Sequence, residues 1–277
     1  MGSKLIDVNN LKISGRIGGK YNHTIVDNIS FSLIKGETLG IVGESGSGKS
    51  ILVRAIMNFL PSSCKIENGH ILFEDKDLTK LDKNELKKIR GFQIAMISDN
   101  PLETLDPIFS VKKQVIETML TYNQTMSKQE AHDKVLDIFT TLKMPDPEKM
   151  LNSFPYQLSG GMQQRVTIAL ALCGNVKLLI ADDATRSLDV TIAAQIVELL
   201  RKMKEQSKLS MIWISANLSM CSILADKIMI MYKGKIIEMG SKEEILVNPK
   251  HSYTKMLLEV KPSLHEEKKE NEFHLAK

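Results

Sequence analysis

Residues 38–50 read TLGIVGESGSGKS and join two kinds of sequence pattern. The short apolar run Thr38–Val42 predicts a buried strand. Residues 43–50, GESGSGKS, fit the pattern G-x-x-x-x-G-K-[ST], and the apolar spacing of the following ILVRAIMNFL predicts a helix that Pro61 stops. A glycine-rich segment between a strand and a helix is the context that supports a phosphate-binding loop.

Each part of this phosphate-binding loop suits a phosphate group. Glycines let the backbone turn tightly, so that its N–H groups point inward, and the N-terminus of the next helix adds partial positive charge. Lys49 would reach the β- and γ-phosphates, and the Ser50 hydroxyl would ligate Mg²⁺. The alternative is a plain glycine–serine turn before a helix. The nucleotide contacts predicted here are Gly43, Glu44, Ser45, Gly46, Ser47, Gly48, Lys49, Ser50 and Ile51.

Composition narrows the class of protein. The chain has 277 residues, of which 43% are hydrophobic and 25% charged, and these are ordinary globular values. Its net charge of +4 is too small to indicate a nucleic-acid partner. Three widely spaced cysteines without a CxxC pair favour a reduced, cytosolic protein. Because no leader-like segment and no apolar run of about 18 residues is present, neither a secreted disulfide scaffold nor an integral membrane protein is expected.

Apolar periodicity predicts an α/β chain. Two antiparallel strands precede the phosphate-binding loop, and strands alternate with helices after residue 160. Between about residues 110 and 160 the spacing is helical. Trp213 lies in an apolar strand and is expected in the core, while Lys233 and Gly234 are expected to turn a hairpin.

Two further motifs carry candidate chemistry. LLIAD, Leu178–Asp182, is an apolar strand that ends in a carboxylate, and beside a phosphate-binding loop Asp182 would hold Mg²⁺ through water. LSGGMQQR, residues 158–165, places Ser159, Gly160 and Gly161 at a helix start, where a second γ-phosphate can bind. Taken alone, LLIAD could be an ordinary strand that ends in an aspartate, and LSGGMQQR could be an ordinary helix N-cap with flexible glycines. Their order after the loop favours the phosphate interpretation.

The phosphate-binding loop, LSGGMQQR, LLIAD and SLD at 187–189 together resemble the motifs of ABC-transporter ATPase subunits. The resemblance covers about residues 4–262 and points to the peptide and nickel importer group, through segments such as NPLETLDP, SLDVTIAAQI and NPKHSYTKMLL. It implies a P-loop NTPase core of the RecA-like α/β class with an antiparallel β-subdomain and a helical subdomain. We expect one ABC ATPase domain at 1–262, with the helical subdomain at about 100–160, and a polar, disordered tail at 263–277.

The same resemblance implies partners. Two such subunits pair head to tail around two ATP molecules, each held by one subunit's loop and the other's signature segment, residues 158–165. Two transmembrane permease subunits and, through the complex, an extracytoplasmic substrate-binding protein are implied. The chain would lie peripherally on the cytoplasmic face of the membrane, with ATP and Mg²⁺ as cofactors and a peptide, nickel or a metal chelate as substrate. The signature contacts to the partner's nucleotide would be Ser159, Gly160, Gly161, Met162 and Gln163.

Three positions depart from the family pattern. The family places a glutamine before the helical subdomain, and this chain has Asp99, whose carboxylate is a third candidate Mg²⁺ ligand. The glutamate that polarises the attacking water is replaced by Asp183, which is one methylene shorter. The histidine that contacts the γ-phosphate is replaced by Ala216, and no histidine lies within residues 133–250.

These replacements predict a slow hydrolytic site. A catalytic group misplaced by about 1 Å can cost roughly 10²-fold in rate, and a lost transition-state hydrogen bond about 10²–10³-fold. We expect a chain that holds MgATP and supplies its signature segment to a different, competent ATPase subunit. The alternatives are an active transport ATPase with Asp183 as catalytic carboxylate, a soluble ABC ATPase outside transport, and a nucleotide-binding regulator without turnover.

Two smaller expectations concern the adenine ring and the C-terminal part. Tyr21 is a candidate for stacking on adenine, with a surface loop position as the alternative. No cysteine follows Cys221, so no iron–sulfur cluster is expected there.

Overall fold

A computed structural model describes residues 2–17 and 20–259, which form two sheets with helices packed around them. The tail predicted at 263–277 lies outside the described residues. The strands are β1 (Lys4–Ile17), β2 (Lys20–Ile34), β3 (Thr38–Val42), β4 (Cys64–Phe73), β5 (Lys76–Asp77), β6 (Ile94–Ile97), β7 (Leu178–Asp182), β8 (Ser210–Ser215), β9 (Lys227–Tyr232) and β10 (Lys235–Ser241). The helices are α1 (Lys49–Ile56), α2 (Lys83–Lys87), α3 (Val111–Tyr122), α4 (Lys128–Thr141), α5 (Pro147–Asn152), α6 (Gly160–Ala171), α7 (Val190–Ser207), α8 (Leu218–Leu224), α9 (Lys242–Val247) and α10 (Ser252–Glu259).

The larger sheet positions the candidate site. Its strand order is β10-β9-β3-β8-β7-β6, and all neighbours are parallel except β10, which pairs antiparallel with β9. Strands β3 and β7 are buried along their whole length, as expected for apolar runs in a sheet covered on both faces. Since parallel strands end at the same edge, the loops after β3, β7 and β8 lie side by side.

The smaller sheet is antiparallel, with the order β2-β1-β4-β5. It packs with α1 against one face of the larger sheet, while helices α3 to α10 contribute to the core on the other face. The alternation of strand side chains separates these two cores: Ile41 and Ile212 point into the first, and Val42 and Trp213 into the second. This arrangement confirms the predicted α/β class.

Helices α3, α4 and α5 lie between β6 and α6 in the chain and pack against one another. Their buried side chains, which include Val115, Val135 and Phe139, continue the second core. The helical periodicity predicted for this part of the chain is therefore confirmed, and the domain boundaries drawn from it remain predictions.

Helix α1 ends earlier than the sequence predicts. The apolar spacing placed Phe59 on its buried face, but the helix stops at Ile56 and Phe59 is 67% exposed. The backbone turns at Asn58, which has a φ of +47°. Arg90 stabilises this end, because its guanidinium donates to the carbonyl of Met57 at 2.6 Å and to that of Asn58.

Two local predictions are confirmed. Trp213 has no exposed surface. Lys233 and Gly234 turn the β9–β10 hairpin with φ values of +44° and +79°, as a two-residue turn of the I′ type requires.

Within the described part of the chain, no helix is both long and apolar enough to cross a bilayer.

Candidate functional site

A cavity of about 700 Å³ opens where strands β3, β7 and β8 end. This volume falls within the roughly 300–1,000 Å³ of small-molecule sites. Its walls combine the phosphate-binding loop with the segments that follow β7 and β8. The lining residues are Ile25, Ser45, Gly46, Gly48, Lys49, Ser50, Ile51, Asp183, Thr185, Arg186, Leu188, Val190, Ala193, Ser215, Ala216, Asn217, Ser219 and Met220.

The phosphate-binding loop takes a backbone form that requires glycine. Gly46 and Gly48 have φ values of +82° and +99°. A Cβ on Gly43 would lie 2.2 Å from the carbonyl oxygen of Met231, so the loop base packs directly against β9. No side chain caps the N-terminus of α1, whose first N–H groups therefore face the cavity without a helix partner. An anion such as phosphate fits this arrangement.

Lys49 is the buried cation of the loop. Only 6% of the surface of Lys49 is exposed. Its Nζ donates hydrogen bonds to the carbonyl oxygens of Gly43 at 2.6 Å and Glu44 at 2.7 Å. Burial lowers the pKa of this ammonium, and the carboxylates of Asp183 and Asp182 oppose that shift. A buried ammonium beside uncapped backbone N–H groups makes this end of the cavity suited to a polyanion.

Ser50 and Asp182 lie together although 132 residues separate them in the chain. The Ser50 hydroxyl donates to Asp182 Oδ1 at 3.0 Å. Burial raises the pKa of Asp182, and the hydrogen bond from Ser50 opposes the shift. A hydroxyl and a carboxylate are the oxygen ligands that Mg²⁺ takes together with substrate phosphates. The described residues contain no cluster of three or more carboxylate, histidine or cysteine side chains that would hold a metal alone.

Asp183 lines the cavity directly after the Asp182 position. Burial raises the pKa of its carboxyl, while the charges of Lys49 and Arg186 and the backbone N–H of Ala216 act in the other direction. Its backbone is left-handed, with a φ of +50°. The shorter carboxylate thus lies in the cavity wall, where the sequence predicts a departure from the family's catalytic glutamate.

Asp99 stands outside this wall. Its backbone carbonyl accepts a hydrogen bond from the Ser187 hydroxyl at 2.7 Å. Its charge contributes to the raised pKa values of Asp182 and Asp183, so the three carboxylates are within electrostatic range of one another. The structure does not place Asp99 among the residues that line the cavity.

Ala216 follows β8 and exposes a methyl group to the cavity. The next residue, Asn217, caps α8 by accepting from the backbone N–H of Met220 at 3.1 Å. The loop therefore keeps an ordered turn into the helix, although position 216 offers no side-chain hydrogen bond.

The signature segment lies apart from the cavity, and none of its residues lines it. Ser159 caps α6, with its hydroxyl accepting from the backbone N–H of Met162 at 3.4 Å. Ser159 and Gly160 are exposed, whereas Gly161 packs against Ile192. The N-cap alternative therefore describes the local geometry, and the same exposed helix start remains open to a ligand from outside the chain.

Ile25 and Arg186 are among the cavity residues that were not identified from the sequence. Ile25 reaches the cavity from β2, and no local pattern marks it, because only the packing of the smaller sheet brings it there. Arg186 follows Asp183 by three residues, and its charge within the loop after LLIAD is a signal that could have found it. Tyr21 lies on β2 rather than in a loop, donates from its hydroxyl to the Ser62 carbonyl at 3.2 Å, and does not line the cavity.

Helix α10, near the C-terminus, contacts the phosphate-binding loop through Tyr253. The backbone N–H of Glu44 donates to the phenolic oxygen of Tyr253 at 3.3 Å. The Tyr253 ring packs on Tyr232 with centroids 4.7 Å apart. The segment NPKHSYTKMLL, which includes Tyr253, therefore contacts the loop directly.

Comparisons with families and known proteins agree with this geometry. The model of the family "ABC transporter" matches residues 26–186, and that of "Oligopeptide/dipeptide transporter, C-terminal region" matches residues 237–276. The chain is 42% identical to the oligopeptide transport ATP-binding protein OppD of Bacillus subtilis, over 95% of this chain and 73% of that protein. It is 41% identical to the dipeptide transport ATP-binding protein DppD of Lactococcus lactis, over 86% of this chain and 68% of the relative.

Solved structures give the same fold. The chain superposes on a dimeric ATP-binding cassette in a post-hydrolysis state, bound to ADP and Pi, with a TM-score of 0.76 and 25% identity. The match covers 86% of this chain and 98% of that cassette. A dimeric bacterial ABC transporter cassette gives a TM-score of 0.75 at 26% identity, with the same two coverages.

Proposed function

The chain belongs to the ABC transporter family of ATPases, and from this premise we propose that it is the ATP-binding subunit of a peptide importer with an impaired hydrolytic site of its own. The relatives reported above are named for oligopeptide and dipeptide transport, which favours peptides over nickel or a metal chelate as the transported class. The C-terminal match to oligopeptide and dipeptide transporters supports the same class.

One observation carries the nucleotide part of the proposal: the cavity joins the phosphate-binding loop to the ends of β7 and β8. The uncapped start of α1 and the buried ammonium of Lys49 would bind the phosphates. Ser50 and Asp182, 3.0 Å apart, would hold Mg²⁺, with Asp99 as a third candidate ligand. When bound, the ion neutralises phosphate charge and so favours attack at the terminal phosphorus.

The impaired hydrolysis rests on two positions in the cavity wall. Ala216 offers no side chain that donates a hydrogen bond to the terminal phosphate. Asp183 carries its carboxylate one methylene short of the glutamate that the family has there. Because such residues act as a unit, the two losses do not multiply, yet either one alone would leave slow chemistry.

The exposed signature segment supports pairing with a different subunit. Ser159 and Gly160 are exposed at the start of α6 and do not line the chain's own cavity. A pair of identical chains would have two impaired sites, so we infer a heterodimer in which this signature segment completes the competent site of the partner ATPase. This chain would keep MgATP at its own loop and hold the pair together.

Contacts with two permease subunits are proposed at the helical part. Large apolar side chains are exposed there, on the segment before α3 and just before α6, namely Leu102, Ile108, Phe109 and Tyr156. Exposed apolar groups of this kind mark protein interfaces when they cluster. We place the subunit peripherally on the cytoplasmic face of the membrane, with the substrate-binding protein reached only through the permeases.

An active ATPase with Asp183 as its catalytic carboxylate is the second candidate. The observation in its favour is that Asp183 lines the cavity beside Lys49. The two candidates differ in what the isolated chain does: the second predicts fast turnover without a partner.

The deciding experiment measures ATP turnover by the purified chain alone and together with its partner ATPase. We expect slow turnover alone and fast turnover by the pair. Ser159→Arg in this chain should abolish turnover by the pair, whereas Lys49→Ala should reduce it less. Ser207→Arg, at an exposed position on α7, is the matched control and should leave turnover unchanged. Fast turnover by the isolated wild-type chain would contradict the proposal.

A further inference from the structure

Arg186 occupies a position in the cavity wall that the proposed mechanism does not use. It stands in the loop between β7 and α7, three residues after Asp183. Its backbone N–H donates to the Asp183 carbonyl at 2.9 Å, and the left-handed backbone of Asp183 turns the chain at this point. This tight turn places Arg186 among the residues that line the cavity, together with Lys49 and Ala216.

No hydrogen bond or ion pair joins the Arg186 guanidinium to any residue that the structure describes. Arg201 and Arg165, by contrast, have protein partners: Arg201 pairs with Glu198 at 2.8 Å, and Arg165 donates to the Leu142 carbonyl at 2.6 Å. Arg186 is exposed and forms neither kind of contact. An arginine that lines a polyanion site without a partner of its own has all its donors available to a ligand.

Its charge acts at the phosphate end of the cavity. The Arg186 guanidinium contributes to lowering the pKa of Lys49 and opposes the raised pKa of Asp183. The group is therefore within electrostatic range of both residues that flank the expected terminal phosphate. On the same wall, Ala216 itself offers that phosphate no side-chain donor.

We propose that the Arg186 guanidinium binds the terminal phosphate of ATP in this cavity and makes the site prefer ATP to ADP. The inference rests on the proposed function, because it requires ATP at the phosphate-binding loop. Arginine suits the task, since its planar fork donates two hydrogen bonds to one phosphate and carries a charge at every physiological pH. A donor on the terminal phosphate retains ATP without positioning the attacking water, which matches a subunit that binds nucleotide better than it hydrolyses it.

The test compares MgATP and MgADP binding by the full chain and by R186Q, using isothermal titration calorimetry. A hydrogen bond to a charged group corresponds to about ten- to one-hundred-fold in affinity. We expect R186Q to lose that factor for MgATP and less than about twofold for MgADP. R186K, which keeps the positive charge but not the planar pair of donors, should recover part of the MgATP affinity that R186Q loses. R201Q, which removes a distant guanidinium, should bind both nucleotides like the wild-type chain.

Each other result has a distinct meaning. If the wild-type chain binds MgATP and the R186Q variant keeps the same preference for ATP, this inference is overturned, while the proposed function stands. Equal losses for MgATP and MgADP in R186Q, with an unchanged melting temperature, would also overturn it, because the residue would then not discriminate the terminal phosphate. A wild-type chain that binds neither nucleotide would overturn the proposed function, and this inference with it.

Discussion

The Ser50 hydroxyl donates a hydrogen bond to Asp182 Oδ1 at 3.0 Å, so the last residue of the phosphate-binding loop and the last residue of β7 meet across the sheet edge. The contact joins two motifs that are far apart in the chain and brings together one hydroxyl and one carboxylate at the cavity. It also predicts which side chains make nucleotide binding depend on Mg²⁺.

Ser50→Ala should weaken the Mg²⁺ dependence of ATP binding. Loss of one metal ligand or of its supporting hydrogen bond typically costs about 10–100-fold in affinity. We expect the wild-type chain to bind ATP more tightly with Mg²⁺ than with EDTA, and the variant to lose most of this difference. Titration calorimetry in both buffers measures the effect, with Ser207→Ala on α7 as the control. A Ser50→Ala chain with full Mg²⁺ dependence would remove Ser50 from the metal site.

Restoring the two family residues should raise turnover. Asp183→Glu together with Ala216→His returns the longer carboxylate and the side-chain donor to a cavity whose phosphate-binding groups are in place. We expect the double variant to hydrolyse ATP at least about 10²-fold faster than the wild-type chain at this site. A steady-state phosphate-release assay on the pair, with the partner's own site inactivated, isolates the contribution. No gain over wild type would mean that Asp183 and Ala216 do not limit the rate.

The two signature glycines should respond differently to alanine. A Cβ on Gly160 would have only Leu188 Cδ2 near it, at 3.8 Å, whereas a Cβ on Gly161 would lie 2.6 Å from Ile192 Cγ2. Gly160→Ala should therefore leave the free energy of unfolding unchanged or slightly higher, while Gly161→Ala should lower it by about 1–3 kcal/mol.

Turnover by the pair separates folding from function at the same two positions. Gly160→Ala should slow the pair although the variant chain is stable, because the added methyl group would stand at the exposed helix start that we propose to contact the partner's nucleotide. Chemical denaturation and pair turnover are the two measurements. A stable Gly160→Ala chain with normal pair turnover would argue against a role of α6 at the partner's site.

Asp183→Asn should stabilise the nucleotide-free chain at neutral pH. Burial raises the pKa of the Asp183 carboxyl, so its protonated form is favoured in the folded state. The corresponding stability is present below the unfolded-state pKa of about 4 and is lost as pH rises through the folded-state pKa. The asparagine variant does not ionise and should keep a higher free energy of unfolding at pH 7. Urea denaturation at several pH values measures the difference, which should shrink toward pH 4; a difference independent of pH would exclude ionisation as its cause.

The three cysteines should differ in reactivity. Cys173 and Cys221 are buried, and burial raises the pKa of both thiols, that of Cys173 to about 12. Cys64 is partly exposed. Iodoacetamide at pH 7.5 should therefore modify one thiol in the native chain and three in denaturant, because the thiolate is the reactive form. Mass spectrometry measures the number of modified thiols per chain. The Cys64→Ser variant should have no rapidly modified thiol in the native state. Early modification of Cys221 would show that its core opens.

Local sequence predicted most of the fold where the signal is a short periodic pattern. The apolar runs of β3 and β7 and the turn at Lys233 and Gly234 follow from burial and from the φ angles that the turn requires. The prediction failed at the end of α1, where apolar spacing continued to Phe59. There the backbone turns at Asn58, and the helix end is stabilised by Arg90, which lies 33 residues from Met57 in sequence. A local pattern holds no information about such a partner.

The sequence by itself determined which residue types the site contains: GESGSGKS and LLIAD supply the proposed phosphate and metal ligands, and Asp183 and Ala216 are the positions to which we assign the proposed loss of catalysis. Only the tertiary structure decided what surrounds that chemistry. Parallel strands that end at one edge brought the loops after β3, β7 and β8 together, placed Ile25 and Arg186 in the same cavity, and kept the signature segment outside it. The physical reason is that each position of the sequence specifies its own side chain, whereas the distance between two sites depends on how whole strands and helices bury their apolar faces.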